Sequence, residues 1–388
     1  MSVNPPRGMR DLLPVEKTRR EQVLAIIRAV YQERGFQEIE TPALEDISRL
    51  TAGQGGENEK LVFQVLKRGE ELERALAEGS ELSDLGLRFD LTVPLTRFFA
   101  SNHSKLPRVL KAIQIGSVWR AERPQKGRYR QFLQCDIDIL GDGSELAEIE
   151  LISASLAALA AIGIHDATVR VNDRRVLSSQ LIKLGIQQQE KAMIAIDKMD
   201  KVGIAGVKDE IEETYGVDVA TKVAAWLEQA TTAEWPAELN WVNSLPDSAK
   251  VRFDPTLVRG MGYYTGAIFE IEHPGSASSI GGGGRYDNMV GRWSGTPTPA
   301  VGISLGIERI LDLLPSEISS ENSLVLLIDD DFGAALSAQQ ELIEQGWSVR
   351  LERAAKNTKA QLAELQEQGF GSFAVLKPGE KLDIRKLG

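Results

Sequence analysis

Five basic side chains, Arg120, Arg123, Lys126, Arg128 and Arg130, fall within eleven positions, and an arginine fork matches a phosphate oxygen pair in a way a lysine cannot. Before them runs the largely apolar 109–118. After them Phe132, Leu133, Ile137, Ile139 and Leu140 restore a strand texture, with acids inserted at Asp136 and Asp138. The pattern predicts a hairpin of strand, basic loop and strand, with Gly127 near its turn. Its charge suits either a phosphorylated ligand or a solvated surface. Asp90, between Phe89 and Leu91 in what reads as a buried strand, must find a partner. Arg88 or Arg97 could supply an ion pair, and a ligand ammonium is the other solution. Four glycines, 281–284, remove every side chain ahead of Arg285 and Tyr286, so that a ligand or another backbone can come close. Neither a phosphate loop nor a dinucleotide fingerprint is spelled there. In GISLGIERIL a strand runs into a helix at Ile307, with Arg309 in its first turn.

The elements that hold these residues follow from periodicity. Residues 15–34 read as an amphipathic helix, entered at Pro14 and stopped by Gly35, with Val23, Ile26, Ile27, Val30 and Tyr31 on one face. FQEIETPALE alternates like a strand until Pro42, 51–60 reads as a loop, and 67–84 as an exposed helical insertion. Asp142 or Ser144 can cap a helix whose inner face is Ile149, Ile152, Leu156 and Leu159. Residues 187–245 read as a helical insertion between strands, and strand texture resumes at 250. The polar 316–322 reads as a linker. Beyond it strands alternate with helices, which implies a small α/β domain with parallel pairing. The expected domains are 1–318 and 319–388.

Composition narrows the classes. The chain has 388 residues, 42% of them hydrophobic, enough for two or three domains with ordinary cores. Neither a membrane-spanning run nor an apolar signal region is present, so a soluble cytoplasmic protein without membrane contact is expected. The single Cys135 excludes an internal disulfide and reads as a buried thiol. His103, His165 and His273 are isolated from one another, which argues against zinc or another bound metal. A net charge of −11 argues against coating nucleic acid, although a local basic patch remains compatible with holding RNA.

RAERPQKGRYRQFLQCDIDILG resembles motif 2 of the histidyl-tRNA synthetase family, a class II aminoacyl-tRNA synthetase family. LVRGMGYYTGAIFE and GGGGRYDNMV resemble its two histidine signatures, and GISLGIERI its motif 3. The resemblance runs from residue 7 to 311, and more loosely through the C-terminal part. It implies an α+β fold: a six- or seven-stranded antiparallel class II sheet flanked by helices, a helical insertion, and a small C-terminal α/β domain like those that bind anticodons. It further implies a homodimer, with residues 15–45 contributing to the interface, and ATP with magnesium as cosubstrate. Histidine would be activated to histidyl-adenylate and passed to tRNA(His).

The resemblance also implies roles. Arg120 and Arg259 would lie on the α-phosphate and contact histidine as well, with Arg309 toward the γ-phosphate. Glu122 would meet the adenine, and Arg128 and Arg130 the phosphates. Asp90, Thr92 and Gln134 would hold the α-amino group, and Asp138 with Tyr264 the imidazole, with Tyr263 and Tyr286 beside them. Gln125 would contact the tRNA acceptor end. A carboxylate facing the imidazole would reject apolar side chains by leaving a buried charge unpaired. Two positions depart from the family pattern: Gly262 stands where many members have Asp, and the chain ends where the anticodon-binding domain normally continues. The same core also occurs in a synthetase-like regulatory subunit of ATP phosphoribosyltransferase, and would suit a paralogue that charges another carrier.

Overall fold

A computed structural model describes residues 3–52, 61–123, 129–229, 234–259, 262–315, 322–377 and 379–387. The chain divides into two compact units, residues 1–11 with 23–314, and residues 12–22 with 315–388.

In the first unit the strands are, in chain order, β1 (Gln37–Glu38), β2 (Leu44–Asp46), β3 (Phe63–Leu66), β4 (Ser83–Leu87), β5 (Leu110–Trp119), β6 (Gln131–Leu140), β7 (Thr168–Asp173), β8 (Val251–Phe253), β9 (Ala267–Glu272), β10 (Gly281–Arg285) and β11 (Ala300–Gly306). Eight form one sheet in the order β1-β5-β6-β11-β10-β9-β7-β8. The six inner strands pair antiparallel throughout, and a parallel strand closes each edge. β2, β4 and β3 make a separate antiparallel sheet.

The basic hairpin closes as two ten-residue strands, paired from Leu110 with Leu140 to Trp119 with Gln131. Side chains alternate across a strand, so Gln134, Asp136 and Asp138 share one face of β6 while Cys135, Ile137 and Ile139 take the other and enter the main core. Cys135 is fully buried, and burial pushes its thiol well up, as expected of an inert structural cysteine.

Helix Pro14–Gln32 buries Val23, Leu24, Ile27 and Tyr31 and gives way to Gly35, which takes the left-handed φ of 81°. Helix Leu146–Ala161 lies against the sheet through Leu151, Ile152, Leu156 and Leu159. Neither Asp142 nor Ser144 serves as its side-chain cap, because Asp142 accepts from the amide and hydroxyl of Ser144 instead. Glu148, buried in that helix, holds Arg285 through two hydrogen bonds of 2.5 and 2.6 Å.

One expected strand is a helix. β4 ends at Leu87, and Thr92–Asn102 is helical, with Asp90 in the turn between them. Pro94 is tolerated because it falls in the first turn, where its missing N–H has no intrahelical partner to lose. Helices Glu190–Asp197, Met199–Tyr215 and Val217–Gln229 pack around their own apolar cluster, which also takes Leu177 and Leu181 from helix Arg174–Lys183. The tryptophan-bearing Ala237–Ser244 turn packs Leu239, Trp241 and Val242 into the main core.

In the second unit β12 (Ser323–Ile328), β13 (Ser348–Arg353), β14 (Ser372–Val375) and β15 (Arg385–Lys386) form a sheet in the order β13-β12-β14-β15. The first three are parallel, linked through helices Phe332–Glu344 and Thr358–Glu367, each started by an Asp or Asn side chain that accepts from a backbone N–H.

Candidate active site

Two joined cavities open over the antiparallel sheet. The inner one, about 60 Å³, is bounded by Asp90, Thr92, Asp136, Asp138, Tyr263, Tyr264 and Tyr286. The outer one, about 160 Å³, is bounded by Glu122, Phe132, Gly281, Glu308 and Arg309. Arg120, Gln134, Arg259, Gly282 and Ser304 belong to both walls and mark the passage between them.

The sheet register explains the inner cavity. Asp138 on β6 lies opposite Gly302 on β11, and a Cβ at Gly302 would overlap the Asp138 carboxylate. Tyr286, which follows the glycine strand β10, donates to Asp138 Oδ1 at 2.6 Å. The tyrosines stack edge to face, Tyr263 on Tyr264 at 4.8 Å and Tyr263 on Tyr286 at 6.1 Å between ring centres. The glycine run does the work expected of it at Gly282, where a Cβ would come within 2.5 Å of the Arg259 guanidinium and 2.7 Å of a backbone oxygen.

Arg259 itself has φ 61°, the one non-glycine residue with positive φ among those described. Such a conformation costs free energy and persists only where surrounding contacts hold it. Here Glu270 on β9 accepts from Arg259 Nη1 at 3.1 Å. Across the passage Arg120 donates to the Phe89 carbonyl at 3.0 Å and lies 5.1 Å from the Phe132 ring centre. Arg309 donates to the Ser279 carbonyl at 2.5 Å. Glu308, one residue earlier, accepts from the Leu133 amide and so ties the start of helix Ile307–Leu313 to β6.

Asp90 pairs with neither neighbouring arginine. Arg88 is taken up by the backbone oxygens of Thr41 and Ser117, and Arg97 by Glu45 at 2.6 Å. Its Oδ1 accepts from the Val93 amide at 3.0 Å, whereas Oδ2 is buried without a hydrogen-bond partner among the described residues. The same holds for Gln134 Oε1, whose amide nitrogen donates to Ser304 Oγ at 2.6 Å.

Burial raises all three acids of this cavity. The Asp90 carboxyl is pushed up to about 6, with the Val93 amide and Arg120 opposing the shift. Burial brings Asp138 to about 7 against the Tyr286 hydrogen bond, with Asp90 adding to the rise. Asp136 is raised well above the carboxylate range, by burial first and Asp138 second. Buried carboxylates with unpaired acceptors make a site for a ligand carrying N–H donors and positive charge.

The structure thus gathers Asp90, Thr92, Arg120, Glu122, Gln134, Asp138, Arg259, Tyr263, Tyr264, Tyr286 and Arg309 around the two cavities. Arg130 lines neither, and turns its guanidinium back onto the Glu122 carbonyl at 2.9 Å. Gln125 and Arg128 lie outside the described residues. Sequence reasoning did not single out Phe132, Asp136, Glu270, Ser304 or Glu308 as site residues. The period of two along β6 could have exposed Asp136, since it lies between Gln134 and Asp138 on one face.

The family model described as histidyl-tRNA synthetase matches residues 8–310. The chain is 48% identical to the histidine--tRNA ligase of Leifsonia xyli subsp. xyli, over 99% of this chain and 98% of that protein. It is 35% identical to the histidine--tRNA ligase of Aeropyrum pernix, over 95% and 89% of the two. The crystal structure of histidyl-tRNA synthetase from Nostoc sp. PCC 7120 superimposes with a TM-score of 0.76 at 25% identity, over 100% of this chain and 95% of that one. A Bacillus halodurans structure described as an ATP phosphoribosyltransferase regulatory subunit/histidyl-tRNA synthetase shares the fold, with a TM-score of 0.72 at 21% identity over 94% and 97% of the chains.

Proposed function

The chain belongs to the histidyl-tRNA synthetase family, and from that premise we propose that it activates histidine with ATP and transfers it to tRNA(His). The observation that carries this reading is the pair of unpartnered acceptors, Asp90 Oδ2 and Gln134 Oε1, beside two arginines shared with an outer cavity. An amino acid held by its ammonium there turns its carboxylate toward those arginines.

Histidine occupies the inner cavity. Asp90, Gln134 and Thr92 take the ammonium, and Asp138 with Tyr264 takes an imidazole N–H, Tyr263 and Tyr286 packing around the ring. An apolar side chain of similar size would leave Asp138 buried without a donor, which supports selection by an unpaired polar group. ATP enters the outer cavity, its adenine near Phe132 and Glu122 and its γ-phosphate toward Arg309.

In the first step a histidine carboxylate oxygen attacks the α-phosphorus, the P–O bond to pyrophosphate breaks, and histidyl-adenylate forms. Arg120 and Arg259 neutralise the charge that builds on the α-phosphate, and no side-chain proton transfer is needed. In the second step the terminal ribose hydroxyl of the tRNA attacks the acyl carbon and AMP leaves.

Magnesium bound to ATP neutralises phosphate charge. Among the described residues no cluster of three or more His, Cys, Asp or Glu could enclose an ion. Magnesium would be held chiefly by the substrate phosphates, with Glu122 and Glu308 as the carboxylates on the outer wall. The second unit, from about 319, would be a small anticodon-binding-like domain. The working enzyme would be a cytoplasmic homodimer, with the acceptor end of the tRNA meeting Gln125.

A regulatory subunit that only senses histidine has no use for an outer cavity walled by Arg120, Arg259 and Arg309. The test is histidine-dependent exchange of pyrophosphate into ATP, followed by charging of tRNA(His). Absence of exchange from the folded protein would refute the reading. Exchange without charging would redirect the second step to another acceptor.

A further inference from the structure

A primary amide has two faces of opposite polarity, and only one orientation of Gln134 serves a cationic ligand. Its nitrogen must be held elsewhere for its oxygen to be offered to an ammonium. The structure assigns that task to Asp136 and Ser304: together they hold the Gln134 carboxamide with its oxygen turned to the amino group of the substrate.

The chain of hydrogen bonds has a direction. Ser304 lies directly opposite Asp136 in the paired strands, and its hydroxyl favours the ionised form of that acid against the burial that raises it well above the carboxylate range. Gln134 Nε2 donates to Ser304 Oγ at 2.6 Å. The same nitrogen approaches Asp136 Oδ1 at 3.4 Å. Both donor directions of the amide are thereby spent on the sheet, while Oε1 is left buried without a partner among the described residues.

Geometry makes the arrangement rigid. Ser304 and Asp136 are directly paired across β11 and β6, and Gln134 is two positions along the same face of β6. Asp136 and Gln134 are 4% and 7% exposed, so water cannot readily supply substitute partners. With the amide reversed, an N–H would face the ammonium and repel it. Asp136 and Ser304 are positioning residues in this scheme, acting on the substrate through Gln134.

The inference rests on the histidine-activation reading and is tested within it. Wild type, Asp136→Asn, Ser304→Ala, Gln134→Ala and the double variant Asp136→Asn/Gln134→Ala are compared in histidine-dependent pyrophosphate exchange. Inhibition is measured with histidinol, which keeps the ammonium, and with imidazolepropionate, which lacks it. Asp136→Asn and Ser304→Ala are each expected to raise the KM for histidine roughly tenfold, the size of one charge-assisted hydrogen bond, with the KM for ATP unchanged. Histidinol should weaken in parallel, while imidazolepropionate keeps its inhibition constant. In the Gln134→Ala background, Asp136→Asn should cost nothing more.

Equal weakening of both inhibitors, or additive losses in the double variant, would overturn the inference, since a general distortion of the cavity acts that way. So would an unchanged histidine KM in both single variants. An inactive wild type refutes the activation reading instead. If Asp136→Asn fails to fold, the Ser304→Ala comparison alone decides by the same inhibitor pair.

Discussion

Replacing Asp90 by Asn should make the free enzyme more stable and a poorer enzyme. Asp90 is buried, with one oxygen on the Val93 amide and the other unpartnered, and its carboxyl is raised from 3.8 to about 6. Because the folded value lies above the unfolded one, the folded state binds the proton more tightly. The stability tied to this group is therefore fully present below pH 4 and is lost as pH rises through 6. At pH 8 the ionised form costs about 3 kcal/mol, at roughly 1.4 kcal/mol for each tenfold change in proton affinity. Asparagine keeps the acceptor for Val93 and carries no charge, so it escapes this penalty. In thermal melts without ligand, Asp90→Asn should exceed wild type by on the order of 5 °C at pH 8, and the difference should vanish near pH 4. Exchange kinetics should show the opposite ranking, with the histidine KM raised roughly 10- to 100-fold for loss of a charged hydrogen-bond acceptor. Saturating histidine should stabilise wild type far more than the variant. A variant that melts below wild type at pH 8 while keeping its histidine KM would refute the account of Asp90 as an acid held in readiness for a cation.

Three further outcomes follow from the same geometry. The histidine KM should climb as pH falls from about 8 through 7 and then 6, as Asp138 and then Asp90 take up protons and cease to attract cations; a KM unchanged down to pH 5.5 would contradict those assignments. Gly302→Ala forces a Cβ into the Asp138 carboxylate, so histidine-dependent exchange should fall at least tenfold, with the melting temperature measured alongside to separate fold from site. Arg259→Ala should lower the rate of exchange by at least about a hundredfold, the size typical of a lost transition-state donor, and an unchanged rate would remove Arg259 from the mechanism.

Much of the scaffold was legible because its signals are local. The basic hairpin announced itself by apolar stretches on either side of a charge run, and the C-terminal alternation of strands and helices by period alone. Asp90 shows where locality fails. Its flanks are apolar in both directions, which a buried strand and a buried helix start share, and only Pro94 in the first turn distinguishes them. The partners of Asp90 were equally illegible: Arg88 and Arg97 are near in sequence, yet tertiary contacts draw them to Thr41, Ser117 and Glu45. Asp136, Ser304 and Glu270 escaped notice because their importance lies in the side chains they meet in the fold, Ser304 reaching Gln134 from 170 residues away and Glu270 meeting Arg259. The converse is also instructive. The resemblance implies a phosphate role for Arg130, whose Nε in this structure donates to the Glu122 carbonyl.

The alternation along β6 carries a consequence for how this protein can vary. Odd positions 135, 137 and 139 speak to the core and even positions 134, 136 and 138 to the cavity, so the strand stores two messages in a single reading frame. Deleting or inserting one residue between Leu133 and Leu140 would exchange them, sending three polar groups into oil and three apolar ones into the ligand's place. Point substitutions can tune this strand one position at a time. A change of length cannot, so lineages that diverge here must do so by replacement alone, and the spacing of 134, 136 and 138 should outlast the identity of any residue on it.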